Sequence, residues 1–200
     1  MILSIFLIFI CLAVIYGLYI YQNEKFKILS SGPGEYIGFH SNSVELCPKG
    51  YYCPNYNMTS PIICPKGYFC PNMGSKIKIM CIPTRYCPEE GMDRMLNCPM
   101  GYYCPDPGMK EPVICRKGFY CPSENMNLLI SCPEGTYCPY GSTRPNICPI
   151  GFYCPQNFIT KPYRCPIGMY CPKERMVKPM ECPEGNECDE IRIIRRKKDL

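Results

Sequence analysis

A pair of cysteines separated by six positions recurs nine times between Cys47 and Cys188, and this repeat restricts the possible folds more than any other feature. Consecutive pairs follow a period of 17 residues, except that the step from Cys138 to Cys148 is one residue short. A fixed period of this kind indicates an architecture in which each unit packs on the next. The paired cysteines are Cys47, Cys53, Cys64, Cys70, Cys81, Cys87, Cys98, Cys104, Cys115, Cys121, Cys132, Cys138, Cys148, Cys154, Cys165, Cys171, Cys182 and Cys188.

The unit reads Cys-Pro-x-Gly-aromatic-aromatic-Cys-Pro, as it does from Cys47 to Pro54. Proline in the second place presets φ at about −65°, and glycine in the fourth tolerates the backbone that follows a tight turn, so each motif should fold back on itself. Across such a turn, the two cysteines can reach the Cα separation of about 4.4–6.8 Å that a disulfide requires. Thr84 replaces the glycine in the third unit and Arg116 the proline in the fifth, but both units keep their cysteines.

The composition agrees with a fold that depends on crosslinks. The chain of 200 residues contains 19 Cys, 23 Pro and 16 Gly but no Trp. Frequent proline and glycine prevent long helices and wide sheets, so disulfides must replace a conventional core. We therefore predict a small disulfide-rich repeat: an elongated rod of nine 17-residue turn or hairpin units in residues 47–188, with little regular secondary structure, preceded by one transmembrane helix.

Several uses of the cysteines are compatible with the repeat. Pairing the two cysteines within each unit uses all of the repeat cysteines. Pairing the second cysteine of one unit with the first cysteine of the next leaves Cys47 and Cys188 without partners. Pairing equivalent cysteines of neighbouring units leaves one unit unpaired, because the number of units is odd. Parity therefore favours pairing within units. Zinc is the main rival, but intervals of five and ten residues without histidine do not fit structural zinc sites. The chain has no Cys-x-x-Cys motif for redox catalysis.

An aromatic residue precedes the second cysteine in eight units, and Glu187 takes its place in the ninth. We interpret this aromatic ladder as packing between repeats, in preference to a platform for carbohydrate or nucleobases. The polar ninth unit is then a cap on the stack. The ladder consists of Tyr52, Phe69, Tyr86, Tyr103, Tyr120, Tyr137, Tyr153 and Tyr170.

Met1 to Tyr21 carry no charged side chain. About 20 apolar residues suffice to cross a bilayer, so we predict a single-pass anchor whose partner is the lipid bilayer. A cleaved signal peptide is the alternative, with a shorter apolar region than this one. Residues 22–46 are interpreted as a linker. Lys25 and Lys27 after the anchor place the repeats on the cytosolic side, whereas dense disulfides favour a lumenal or extracellular side.

Two smaller signals lie outside the cysteine pattern. Asn57 begins the only glycosylation sequon, which is usable if the repeats enter the lumen. Residues 189–200 form a basic tail that can dock on acidic protein, lipid headgroups or nucleic acid, although a solvated terminus is the simpler interpretation. Its basic residues are Arg192, Arg195, Arg196, Lys197 and Lys198.

No nucleophile and base pair, carboxylate dyad or phosphate loop stands out in the sequence. We therefore predict no enzyme, catalytic residue, cofactor, metal site or small-molecule substrate.

The tandem Cys-Pro-x-Gly-Tyr-Tyr-Cys-Pro strings in residues 47–188 resemble ephrin-receptor-like and tumour-necrosis-factor-receptor-like cysteine-rich repeats. They resemble more closely the uninterrupted repeats in membrane proteins of large icosahedral DNA viruses. The viral resemblance implies a structural, minor capsid protein in the virion inner membrane, facing the capsid shell and linked to it by protein contacts rather than nucleic acid. Because such viruses supply their own thiol oxidase, disulfides can then form on the cytosolic side. The receptor resemblance implies an adhesive ectodomain at the cell surface or in the secretory pathway.

Overall fold

The computed structural model describes residues 12–16, 18 and 29–196. Residues 12–16 and 18 are helical. Within these described ranges, no helix has both the length and the apolar character needed to cross a bilayer. The anchor predicted for Met1 to Tyr21 lies mostly outside the described residues.

The remainder of the described chain forms twenty short strands. In chain order they are β1 (Glu35–Ile37), β2 (Val44–Leu46), β3 (Tyr51–Tyr52), β4 (Ile62–Ile63), β5 (Tyr68–Phe69), β6 (Ile79–Met80), β7 (Arg85–Tyr86), β8 (Leu96–Asn97), β9 (Tyr102–Tyr103), β10 (Val113–Ile114), β11 (Phe119–Tyr120), β12 (Ile130–Ser131), β13 (Thr136–Tyr137), β14 (Asn146–Ile147), β15 (Phe152–Tyr153), β16 (Tyr163–Arg164), β17 (Met169–Tyr170), β18 (Met180–Glu181), β19 (Asn186–Cys188) and β20 (Ile193–Arg196). Each odd-numbered strand pairs antiparallel with the strand that follows it, so the fold is a series of two-stranded hairpins.

The turn that starts each hairpin explains the Cys-Pro-x-Gly pattern. In unit 1, which begins at Cys47, the carbonyl of Pro48 accepts the N–H of Tyr51 at 3.1 Å. Gly50 between them has a φ of 80°. A positive φ at the third position of a four-residue turn is the mark of a type II turn, which glycine adopts without strain. The glycine therefore lies inside the turn, whereas the sequence analysis placed it just after one.

A second left-handed residue closes the loop between the two strands of each of units 1 to 8. Six of these eight positions hold glycine or asparagine, the residues that tolerate a positive φ. They are Asn57, Gly74, Gly91, Gly108, Asn125, Gly141, Phe158 and Arg175. Unit 6, which is one residue short, keeps its left-handed residue, and the N–H of Gly141 still donates to the carbonyl of Cys115 at 2.9 Å. The loop therefore absorbs the deletion without disturbing its contact with the preceding unit.

The disulfides form the core. All nine lie within units, with Cα separations between 5.9 Å and 6.4 Å, as the parity argument favours. The cysteines of units 1 to 8 are completely buried, except that Cys165 is 5% exposed. Among the other hydrophobic side chains that the structure describes, Tyr103 and Ile159 alone are buried. The prediction of nine disulfide-closed hairpin units with little helix is confirmed.

Successive units are joined by a repeated set of four backbone hydrogen bonds. Between units 1 and 2, the N–H groups of Gly50 and Cys53 donate to the carbonyls of Cys70 and Ser75 at 2.9 Å and 2.8 Å. In the opposite direction, the N–H groups of Gly74 and Cys64 donate to the carbonyls of Cys47 and Gly50 at 2.7 Å and 2.8 Å. The equivalent four bonds recur at every interface up to that between units 7 and 8. Because the bonds join main-chain groups, the stack tolerates variation in the side chains.

The structure corrects the interpretation of residues 31–46 as part of a linker, while residues 22–28 lie outside the described residues. Strands β1 and β2 form a hairpin that stacks on unit 1 with all four backbone bonds, including Gly34 N–H to the carbonyl of Cys53 at 2.7 Å. This hairpin, residues 31–46, is here called unit 0. Ser31 and Ile37 stand where the other units have cysteines, and Ser31 is 1% exposed. Unit 0 has no cysteine pair to mark it in the sequence, because backbone hydrogen bonds can hold a unit that lacks cysteines.

We expect the double substitution Ser31→Cys with Ile37→Cys to form a tenth disulfide. The two positions have the separation of six residues and the same inter-unit hydrogen bonds as the natural pairs. The Ser31 hydroxyl is buried and has no hydrogen-bond partner among the described residues, so its loss removes no contact. Closing a loop of this length should stabilise the unit by about 2 kcal/mol. Thiol titration under denaturing conditions checks the result.

Ser31→Cys alone serves as the control, since it should add one titratable thiol. If the double variant adds two free thiols after oxidative folding, unit 0 does not hold the geometry of the other units.

The carboxyl-terminal unit differs from the others. Of the four inter-unit bonds, the described residues retain two between units 8 and 9: Cys171 N–H to the carbonyl of Glu190 at 2.8 Å, and Cys182 N–H to the carbonyl of Gly168 at 3.2 Å. Cys182 and Cys188 are half-buried, unlike the preceding cysteines. Strand β20 lies in the predicted basic tail and pairs with β19, so the backbone of this part of the tail is ordered.

Candidate interaction surface

The hairpin register places two side chains of each unit on the same face of that hairpin. Residues paired across two antiparallel strands point to the same side of the hairpin. In unit 1, Tyr52 is paired with Ile62, and the equivalent pairs recur in the following units. The full set, here called the apolar strip, is Tyr52/Ile62, Phe69/Ile79, Tyr86/Leu96, Tyr103/Val113, Tyr120/Ile130, Tyr137/Asn146, Tyr153/Tyr163 and Tyr170/Met180.

The first column of the strip is the aromatic ladder. Tyr103 is buried against the Cys115–Cys121 disulfide of the next unit, together with Met126. Tyr137 packs in the same way against the Cys148–Cys154 disulfide. The remaining rings of the ladder are half-buried. At these two positions the aromatic ring therefore covers the crosslink of the following unit.

The second column of the strip is more exposed than the first. Its seven large apolar side chains are between 37% and 46% exposed, and Asn146 is the polar exception. They are Ile62, Ile79, Leu96, Val113, Ile130, Tyr163 and Met180. Their regular exposure follows from the repeat, because each occupies the same place on its hairpin.

The opposite face of the hairpins is built differently. There, Ile63 lies 3.5 Å from the position that a Cβ on Gly91 would occupy, and Met80 and Gly108 are similarly close at 3.3 Å. Ile63 belongs to unit 1 and Gly91 to unit 3, so the side chains of this face cover the loop of the unit two further on. The face also carries polar groups, since Asn97 accepts a hydrogen bond from Arg85 and donates one to Glu124 at 3.1 Å.

Charged groups lie beside the rings at two places. The Nζ atom of Lys78 is 4.5 Å from the ring centre of Tyr68 and 5.9 Å from that of Tyr52. The guanidinium of Arg164 is 6.0 Å from the ring of Phe152 and pairs with Glu190 at 3.3 Å. Both cations are exposed to solvent. Their contacts with the rings and the ion pair with Glu190 therefore contribute little to the stability of the fold.

The other predicted site residues are dispersed. Asn57 is exposed in its loop, and its side-chain carbonyl accepts the N–H of Ser31 at 3.1 Å. Arg192 pairs with Asp189 at 3.7 Å. Arg195 and Arg196 lie in β20, while Lys197 and Lys198 are outside the described residues.

Shifted pKa values occur at the two ends of the stack. In unit 0, hydrogen bonds from Ser41 and then Tyr36 hold the pKa of the Glu45 carboxyl below its usual value, and the same carboxylate raises the pKa of Tyr36. In unit 9, the backbone N–H groups of Ile191 and Arg192 lower the pKa of Asp189. All three residues are half-buried, and their hydrogen bonds fix the backbone or the cross-strand pair around them.

The described residues offer little chemistry beyond packing. The repeat cysteines are all in disulfides, and no group of three or more His, Cys, Asp or Glu residues is placed there to hold a metal ion. A scan against protein-family models gives no match, and no curated protein matches the chain. The fold itself defines the class: a cysteine-rich protein of tandem hairpins, each closed by its own disulfide.

Proposed function

We propose that this chain is a structural spacer, anchored in a membrane by residues 1–21 and linked through its hairpin stack to a layer of other structural proteins. The observation that carries the proposal is the repetition of four backbone hydrogen bonds between units whose disulfides are buried. A stack held by main-chain bonds and crosslinks keeps its form over many units, as a spacer requires. Its repeated surface suits protein contacts better than recognition of one small molecule.

The viral setting is part of this proposal. The chain resembles repeat proteins in the membranes of large icosahedral DNA viruses, so we place it in the virion inner membrane, with the capsid shell as its partner. A thiol oxidase supplied by the virus reconciles Lys25 and Lys27, which favour a cytosolic location for the repeats, with their nine disulfides.

Crosslinking in purified virions tests the spacer role. The full chain should resist alkaline carbonate extraction, and its lysines in the repeats should crosslink to a shell protein. A matched variant without residues 1–21 should lose membrane retention while its repeats still oxidise. Extraction of the full chain by carbonate, or absence of crosslinks to any shell protein, contradicts the proposal.

A receptor-like or adhesive ectodomain is the second candidate. The observation in its favour is that Asn57 and Thr59 of the sequon are both exposed. Glycosidase treatment should then increase the gel mobility of the chain, and Thr59→Ala should abolish this shift. Thr59 is the better position to change, because Asn57 itself bonds to unit 0. An occupied sequon places the repeats in the lumen and contradicts the cytosolic-side spacer.

A further inference from the structure

The disulfide of unit 9 differs from the other eight in its access to solvent. The cysteines of units 1 to 8 are at most 5% exposed, whereas Cys182 and Cys188 are half-buried. A thiol can exchange with a disulfide only when it reaches one of the two sulfur atoms, so exchange favours accessible disulfides. Burial therefore protects eight of the crosslinks and leaves the ninth open to attack.

An open cavity of about 270 Å³ gives access to this disulfide. It is lined by Gly168 of unit 8 and by Cys188 and Asp189 of unit 9. The equivalent turn glycine of unit 2, Gly67, lies against the backbone carbonyl of Gly108, two units further on. At Gly168, a Cβ would meet none of the described atoms within 4 Å. The cavity is therefore the space that a loop fills at the earlier turn.

The size and charge of the cavity suit an incoming thiol. Pockets that enclose a whole small molecule usually measure about 300–1,000 Å³, so this cavity is better suited to admit one side chain. The carboxylates of Asp189 and Glu190 line it, but each is paired with an arginine. Arg192 lies 3.7 Å from Asp189, and Arg164 lies 3.3 Å from Glu190. The arginines offset the negative charge that would repel a thiolate.

Unit 9 can lose its crosslink with little effect on the rest of the stack. In the described chain, two of the four inter-unit backbone bonds are present between units 8 and 9. A Cβ on Gly185, in the turn of unit 9, would meet none of the described atoms within 4 Å. Strand β20 pairs with β19 and would hold the hairpin together without the disulfide. Local opening requires least free energy where such contacts are few, so exchange here should leave units 1 to 7 folded.

We propose that the Cys182–Cys188 disulfide is a thiol-exchange site through which the chain becomes covalently linked to a cysteine-containing molecule. The incoming thiolate attacks one sulfur of the pair and forms a new disulfide with it, while the bond between Cys182 and Cys188 breaks. The electron pair of that bond goes to the other sulfur, which leaves as a thiolate and takes a proton from water. The disulfide of the chain is itself the oxidant, so the step needs no further reagent. The site does not depend on the anchor or on the spacer role.

Reaction of the full, oxidised chain with glutathione in mild detergent tests the site. Samples are quenched by alkylation, and mass spectrometry of peptides measures the glutathione adduct at each cysteine. Adducts at Cys182 or Cys188 should form about tenfold faster, or more, than adducts at Cys98 and Cys104, the fully buried control pair in the centre of the stack. An adduct that forms as fast at another disulfide, or no adduct in unit 9, overturns the proposal.

A short peptide with one cysteine, used in a parallel reaction, distinguishes the source of the thiol. Adducts with both probes mean that the site accepts a protein segment, whereas an adduct with glutathione alone restricts it to small thiols, and either result supports an exchange site. Hydrogen exchange of the glutathione adduct separates local exchange from unfolding. Amide protection in units 1 to 7 should be unchanged. Loss of protection throughout the repeats would mean that the thiol reacts with unfolded chain, which overturns the proposal.

Discussion

Replacing Gly67 by alanine is expected to destabilise the stack much more than the same replacement at Gly168. Both glycines have a left-handed φ, 84° and 79°, so both substitutions carry the same backbone strain of about 1–2 kcal/mol. A Cβ at position 67 would also lie 2.5 Å from the backbone carbonyl oxygen of Gly108, two units further on, whereas at position 168 nothing lies within 4 Å. We expect the clash to add about 2 kcal/mol, because a backbone group cannot move aside cheaply.

Urea unfolding of the oxidised variants, followed by tyrosine fluorescence, gives the comparison. Equal losses of unfolding free energy for Gly67→Ala and Gly168→Ala would mean that the contact between units two apart does not restrict the side chain at this position.

Thr84 offers the reciprocal test, since it is a branched residue with a φ of 78° where the other units have glycine. Thr84→Gly should raise the free energy of unfolding by about 1 kcal/mol, because glycine relieves that backbone strain.

Removal of a central disulfide is expected to cost more than removal of the terminal one. Cys98→Ala with Cys104→Ala and Cys182→Ala with Cys188→Ala open loops of equal length, so the chain-entropy cost is about 2 kcal/mol in both. Cys98 and Cys104 are fully buried, while Cys182 and Cys188 are half-buried. Removing the central pair should therefore lower the free energy of unfolding by about 1–2 kcal/mol more than removing the terminal pair, because buried packing is lost as well.

Hydrogen exchange measured by mass spectrometry locates the loss. The central variant should lose amide protection in units 3 to 5, whose backbone bonds meet at the missing crosslink. The terminal variant should lose protection only in unit 9. Identical protection patterns in the two variants would contradict a core formed by the buried disulfides.

Much of the fold follows from local sequence. Proline and glycine between two cysteines six residues apart specify a tight turn, and the turn brings the cysteines within bonding range whatever the rest of the chain does. For this reason both the unit and its pairing are predictable. The position of the glycine inside the turn was predicted incorrectly, because spacing alone does not show which residue takes the positive φ.

The interaction surface was only half predictable. The aromatic ladder is visible as a repeat in the sequence, but its aliphatic neighbours lie ten residues further along in most units, and loop length alone does not fix the register. The tertiary structure supplies that register and so places Tyr52 beside Ile62 on one face. Adjacent Ile63 goes to the opposite face, because side chains alternate along a strand.

The sequence by itself determined the turn and its crosslink, because these depend on contacts within seven residues, and the period can be read directly from the cysteine spacing. Only the tertiary structure revealed that the stack includes residues 31–46, ahead of the first repeat cysteine, and that β20 extends unit 9 into the basic tail. Both extensions depend on main-chain hydrogen bonds, which any residue except proline can make in full. Such bonds leave no pattern of side chains in a sequence, so they become visible only when the units are stacked.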